Sequence, residues 1–247
     1  MEITKVRDLT LIKIDRDKTM VIACDSCGSI GMKTGDVLKV PPFYTGKYTA
    51  RVALMEVLCT GAQVITVVDA ICNEMDNTGL EIIKGIKEEL KANGIKDIVL
   101  TGSTEENFET VSTGLGITVV GIAENKILKV NKVKAKAIVV SIGLPKMGDE
   151  IKLDSDEEIV QYNTIAILLK TPGVYEIVPV GSKGIYNEVC QLAESNRMKF
   201  EIEKNVSIDV NKSAGPSTVV IAATSEKALE LIKQIKNLNI IGRLNKE

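Results

Sequence analysis

At 247 residues, 45% hydrophobic and 26% charged with a formal net charge of −2, the chain can build a substantial core as one large domain or two ordinary ones. No Lys/Arg run supplies the basic footprint of a phosphate-backbone binder, which sets nucleic acid aside, and the charged opening Met1–Lys13 with no long apolar span sets the membrane aside. The absence of histidine excludes Ser-His-Asp and Cys-His nucleophiles, leaving acid–base work to Asp, Glu, Lys, Cys or Tyr and any metal to oxygen ligands. Five cysteines, an odd number in a chain expected to be soluble and cytoplasmic, argue against a disulfide framework.

In chain order, residues 9–14 and 20–24 read as a hairpin of two strands. The second is expected to end in Asp25-Ser26-Cys27-Gly28-Ser29-Ile30-Gly31-Met32-Lys33, which suits either a phosphate and metal loop or a plain glycine turn. It is not a Walker A loop, which needs GxxxxGK[ST] leading into a helix. Cys24 and Cys27 form one CxxC, only half of a structural zinc site, and Cys59, Cys72 and Cys190 sit among apolar neighbours and read as core. A helix is expected over 45–59, with Val52, Met55 and Cys59 on its buried stripe. Glu56 falls beside that stripe, so it is either paired or functional, because burying a lone carboxylate is costly.

A strand over 64–68 runs into Asp69, and a helix follows over 77–93 with Asn93-Gly94 as its C-cap. The short strand 97–100 then enters Thr101-Gly102-Ser103-Thr104-Glu105-Glu106-Asn107. Three hydroxyls, two carboxylates and an amide around one glycine suit a magnesium–phosphate site as well as they suit a polar turn. A strand over 116–120 returns the chain to the core. Three strands therefore run into polar segments, and in open α/β architectures ligands gather beyond strand ends.

The basic stretch KILKVNKVKAK places a boundary near 124–136, giving domains over 1–130 and 131–247. The second half reads as strand 137–142, helix 155–168 capped by Asp154 or Ser155, strand 175–179 and the glycine-rich Gly181-Ser182-Lys183-Gly184. Helix 185–196, strands 207–210 and 219–223 and helix 225–237 complete it. The opening before helix 185–196 suits an anion, with Lys183 beside it. Ile- and Val-rich strands with only 3% aromatics suit sheets buried on both faces.

The ordered set of loops resembles the aminoimidazole ribonucleotide (AIR) synthetase superfamily, whose relatives include thiamin-monophosphate kinase and selenophosphate synthetase. Asp25-Ser26-Cys27-Gly28-Ser29-Ile30-Gly31-Met32-Lys33 is similar to the family's DGVGTK segment. Gly61–Asp69 is similar to GA-x-PLFFLD, and Thr101–Glu106 to GGETAE or GGDT. The resemblance implies an α+β (α/β layered) two-domain fold, an N-terminal sheet that dimerises, and ATP with magnesium bound between the domains. It further implies Asp25, Asp69 and Glu106 as magnesium ligands. Gly28, Gly31, Thr101, Gly102, Ser103, Thr104, Glu105, Asn107 and Lys183 would lie around the nucleotide. Asp69, Glu56 and Lys33 are the expected catalytic residues, Glu56 standing where relatives carry an aspartate.

Ser103 departs from the family by replacing the acidic residue of GGE/GGD, which moves metal binding toward Glu105 or Glu106, and the second half is short. CDSCGSIGMKTGDVLKVPP, TARVALMEVL and TGSTEENFETVSTGLGITVVG resemble a short branch of α-ribazole kinases. That resemblance implies ATP-dependent phosphorylation of the 5′-hydroxyl of a small nucleoside in salvage of the cobalamin lower ligand. A related synthetase acting on a thiamin or purine precursor, and a nucleotide-binding regulator without turnover, remain the alternatives.

Overall fold

The computed structural model describes residues 2–246, which fall into two compact units. One is built mainly from Asp8–Val57 and Ala62–Ile122, the other from Leu58–Gly61 and Ala123 onward together with Lys5–Arg7. In the first half the elements are β1 (Glu2–Val6), β2 (Leu9–Lys13), β3 (Lys18–Gly28), β4 (Ile30–Gly31), β5 (Leu38–Lys39), α1 (Pro42–Cys59), β6 (Gln63–Ile71), α2 (Leu80–Ala92), β7 (Val99–Ser103) and β8 (Gly114–Glu124). Six of the strands make one sheet in the order β1-β2-β3-β8-β6-β7.

Alternation along these strands separates two faces. On β8, Leu115, Ile117 and Val119 are buried while their neighbours Gly116, Thr118 and Val120 are half-exposed. Register carries the same split across the sheet: Val67 lies opposite Val119 and Asp69 opposite Ile117 on the buried side. Val68 lies beside Thr118 and Thr101 on the open side. That open face is apolar at several points, with Val68 37% and Val99 67% exposed.

Two glycines set how closely α1 and α2 pack. A Cβ on Gly46 would lie 2.1 Å from the Ile82 carbonyl oxygen, and one on Gly85 only 1.9 Å from that of Phe43. Arg51 of α1 and Glu89 of α2 form a buried ion pair at 3.5 Å beside this crossing. The buried face of α2 carries Ile82, Ile86 and Leu90, as its spacing predicts.

The second unit holds β9 (Ala137–Ile142), α3 (Tyr162–Lys170), β10 (Val174–Pro179), α4 (Gly184–Asn196), β11 (Met198–Ile202), β12 (Val220–Thr224), α5 (Glu226–Ile232) and β13 (Leu238–Lys246). Five antiparallel strands run in the order β10-β12-β9-β13-β11. Every residue of β9 is buried, as a strand covered on both faces requires. Val139, Ile221 and Ala223 from the sheet pack with Ile185, Val189 and Leu192 of α4. Glu176 is buried here with its charge met: Arg7 lies 3.2 Å from one carboxylate oxygen and the Lys132 amide donates to the other at 2.6 Å.

Several expectations are corrected. β3 runs on to Gly28, so Asp25 sits inside a strand and not at its end; β8 lies beside β3 in the sheet, while β2 pairs with it only over residues 19–22. Thr101, Gly102 and Ser103 are ladder residues of β7, paired in parallel with Val68, Asp69 and Ala70. The helix expected at 155–168 starts only at Tyr162. Asp156 instead accepts from the backbone amides of Lys152 and Glu158 and from the Lys146 ammonium, a local alternative that competes with helix formation. Residues 207–210 form no strand, helix 225–237 stops at Ile232, and the edge strand β11 and the polar strand β13 were not anticipated. Cys72 is exposed and Cys190 half-buried; of the three cysteines read as core only Cys59 is buried.

Gly85→Ala must push a backbone carbonyl aside, and overpacking of this kind costs about 1–3 kcal/mol. A lowered urea midpoint is the expected result, and an unchanged midpoint would show that the two helices do not meet at this glycine.

Candidate functional site

The loop from Ser29 to Val40 is fastened to the start of β8 by one carboxylate. Asp36, 5% exposed, accepts hydrogen bonds from the Thr113 amide (2.7 Å), the Thr113 hydroxyl (2.7 Å), the Ser112 hydroxyl (3.1 Å) and the Lys33 amide (2.8 Å). Burial works against its charge, but these donors outweigh it and hold the carboxyl below its ordinary value. Gly31 is required at this point. A Cβ there would lie 2.2 Å from Thr113 Oγ1 and 2.7 Å from Asp36 Oδ2. Gly28 has no such constraint, since a Cβ on it would meet nothing within 4 Å.

Lys33 is held at its other end as well. Its ammonium lies 2.7 Å from Glu74, in the segment that follows β6. The other Glu74 oxygen accepts from Thr78 at 2.6 Å, and Thr110 donates to Glu74 at 3.2 Å. Fully buried Asn73 steadies this arrangement, donating to Thr110 (2.7 Å) and to the Ser112 carbonyl (2.9 Å) and accepting from the Gly114 amide (3.0 Å). Asp36, Asn73 and Glu74 were missed by the sequence reading. The one signal available was a polar pair, Asn73-Glu74, directly after an apolar strand.

Asp25 and Cys27 continue the buried-side alternation of β3 after Val21 and Ala23. Burial pushes the Asp25 carboxyl up to about 6, only partly offset by a hydrogen bond from the Ser26 amide, and the nearby Asp8 carboxylate adds to the rise. Burial raises the Cys27 thiol too, against a hydrogen bond with Thr49 of α1. Asp69 is 4% exposed, and among the described residues it has neither a hydrogen-bond donor nor a cation. Burial alone raises its pKa. Its neighbour on β7 is glycine for a direct reason: a Cβ on Gly102 would lie 2.0 Å from Asp69 Oδ1.

The Thr101–Asn107 segment is divided. Thr101 and Ser103 point to the open side of the sheet with Val68 and Ala70, opposite to Asp69. Thr104 and Glu106 fold onto the turn after β6: Thr104 donates to Glu106 at 2.8 Å, which also accepts from the Met75 amide at 2.8 Å. The Glu105 amide donates to the Asn73 carbonyl at 3.0 Å, and the Glu105 carboxylate accepts from the Asn107 amide at 2.7 Å.

Among the described residues no three Asp, Glu or Cys side chains converge on one point, so Asp25, Asp69 and Glu106 do not form a closed triad. Glu56 is half-buried on α1, seven residues or about 10 Å of helical rise beyond Thr49. In the second unit Lys183 precedes α4. Two amides of its first turn are already spent, Gly184 on the Gly181 carbonyl and Tyr186 on that of Val210.

The six-stranded sheet with its buried carboxylates is the architecture of a known class. Residues 6–123 match the family described as AIR synthase related protein, N-terminal domain. Residues 6–123 are thus similar to an AIR synthase related N-terminal domain, and the whole chain has the AIR synthase-like fold. No curated protein matches the sequence. Among solved structures, AaThiL complexed with AMPPCP and TMP is 14% identical with a TM-score of 0.69, covering 99% of this chain and 87% of that one. Thiamine monophosphate kinase from Aquifex aeolicus is 16% identical with a TM-score of 0.68, covering 98% of this chain and 90% of that one. T. maritima PurL complexed with ADP is 13% identical with a TM-score of 0.67, and this chain, matched over 99% of its length, spans only 42% of it. At such identities the likeness is one of fold. Among the described residues no helix is long and apolar enough to cross a membrane.

The raised Asp25 has a consequence for stability. Between its ordinary value of 3.8 and about 6 the folded protein keeps a proton that the unfolded chain has lost, so stability falls as pH rises through that window. Asp69, shifted in the same direction, adds to the fall. Asp25→Asn is expected to flatten this dependence and to raise the urea midpoint at pH 7 but not at pH 3.5. Identical midpoints for the two proteins at both pH values would show that Asp25 carries no burial cost.

Proposed function

We propose that the protein is an ATP- and magnesium-dependent small-molecule kinase of the cytoplasm that phosphorylates the 5′-hydroxyl of α-ribazole. The observation that carries the reading is the uncompensated carboxylate of Asp69, in the same unit as a lysine whose ammonium is held in place by Glu74. A carboxylate buried without a partner is costly, and a hard cation on oxygen ligands removes that cost. The donor set fits magnesium: Asp69 and Asp25 supply oxygens from the buried side of one sheet, and the chain has no histidine to draw a softer metal.

In this reading Asp25 and Asp69 hold magnesium, with Glu106 and the Thr104–Asn107 turn nearby. Bound ATP with magnesium supplies the phosphoryl group and neutralises its charge. Lys33 offers its remaining ammonium protons to phosphate oxygens, and Asp36 fixes the loop that presents it. Phosphoryl transfer asks mainly for positioning and charge neutralisation, so no general base is assigned. The AMPPCP and ADP carried by AaThiL and T. maritima PurL agree with a nucleotide as ligand. The choice of acceptor rests on the likeness of residues 24–42, 49–58 and 101–121 to the α-ribazole kinase branch. A homodimer through the open sheet face is part of the same proposal, since Val68 and Val99 leave apolar surface there.

ADP release from the purified protein with ATP and magnesium, measured with and without α-ribazole, tests the reading. The expected result is α-ribazole-dependent ADP and a product heavier by one phosphoryl group, with turnover lost in Asp69→Asn while its circular dichroism stays unchanged. A thermal shift with ATP and magnesium but no α-ribazole-dependent ADP would keep the nucleotide and replace the acceptor. Full turnover in Asp69→Asn would remove Asp69 from the site.

A further inference from the structure

We infer that Glu74 is a positioning residue for Lys33, holding its ammonium where it meets a phosphate group; the phosphate rests on the nucleotide reading above. The geometry singles Glu74 out from an ordinary surface pair. Exposed ion pairs contribute little because two long side chains must be ordered to form them. Here the ordering is already done by other groups. Thr78 at 2.6 Å and Thr110 at 3.2 Å fix the carboxylate, Asn73 fixes Thr110, and Asp36 fixes the Lys33 backbone amide at 2.8 Å.

Lys33 is thus clamped by a carboxylate at each end, one on its amide and one on its ammonium. An ammonium has three protons, so a single hydrogen bond to Glu74 leaves two for a ligand. The Lys33 side chain is 21% exposed, enough to be reached from solvent. A lysine fixed before the ligand arrives loses little conformational freedom on binding, which is the advantage of preorganisation. Glu74 itself is unsuited to taking a proton. Burial opposes its charge, but the hydrogen bonds from Lys33 and Thr78 outweigh that and bring its carboxyl down to about 2. It stays ionised, and a group so acidic is a poor base near neutral pH.

The test is calorimetric binding of AMPPCP with magnesium to the full chain, comparing wild type, Glu74→Gln, Lys33→Met and the double variant, with melting temperatures as a fold control. Glu74→Gln is expected to weaken binding about tenfold through lost preorganisation. Lys33→Met should weaken it at least as much, and the double variant no further than Lys33→Met alone, because Glu74 acts only through the lysine. Unchanged or tighter binding in Glu74→Gln, the latter marking a carboxylate that merely repels phosphate, overturns the inference, as does strict additivity in the double variant. If Glu74→Gln does not fold, Thr110→Val, which removes one donor to the same carboxylate, takes its place with a smaller loss expected and the same reversal if binding is unaffected. Wild-type protein that fails to bind AMPPCP overturns the nucleotide reading and this inference with it. Binding by wild type that the variants leave untouched overturns this inference alone.

Discussion

The carboxylate of Asp36 is the constraint on which the candidate site depends. Four donors from two distant parts of the chain converge on it, and burial removes the water that could replace any of them. A buried carboxylate that lost these partners would be strongly destabilising, so the Ser29–Val40 loop and the Ser112–Thr113 segment are fixed together. Gly31 follows from this, because no side chain fits between Asp36 and Thr113. The direction in which Lys33 leaves the loop follows as well.

In the same unit as this satisfied carboxylate stand two that are not. Asp25 and Asp69 lie on the buried side of the same sheet, and burial raises both. Natural proteins pair buried charges or use them. The contrast between Asp36, held down by hydrogen bonds, and Asp69, pushed up by burial with no partner among the described residues, distinguishes a structural acid from a candidate ligand. The second unit makes the same point in reverse. Glu176 and Asp156 are as buried as Asp69, but Arg7 and Lys146 meet their charges.

Much of the fold was legible along the chain. β9 was expected over 137–142 and is found there, the hairpin of β2 and β3 is present, and α1 and α4 appear with ends shifted by a few residues. These elements share strong local periodicity. The misses share a different cause. β13 is a mixed sequence, Leu-Asn-Ile-Ile-Gly-Arg-Leu-Asn-Lys, that becomes a strand because β9 and β11 pair with it on either side. The helix expected at 155–168 lost its first turns to Lys146, ten residues from Asp156. In the site the same division holds: Asp25, Asp69, Lys33 and the Thr101 segment could be picked out by residue type, whereas Asp36 and Glu74 could not be told from ordinary surface acids.

What the sequence by itself determined is the α/β alternation, the oxygen-only chemistry of a chain without histidine, and the glycine- and hydroxyl-rich stretches where a ligand could be met. These are set by residue type and by periods of two and 3.6, which act over a few neighbours. Only the tertiary structure decided that Thr101 and Ser103 face away from Asp69, that Gly102 exists to admit its carboxylate, and which acids serve which donors. Asp36 meets Thr113 across 77 residues and Lys33 meets Glu74 across 41. Such partners are brought together by strand order and register, which depend on the packing of the whole sheet and leave no local trace in the chain.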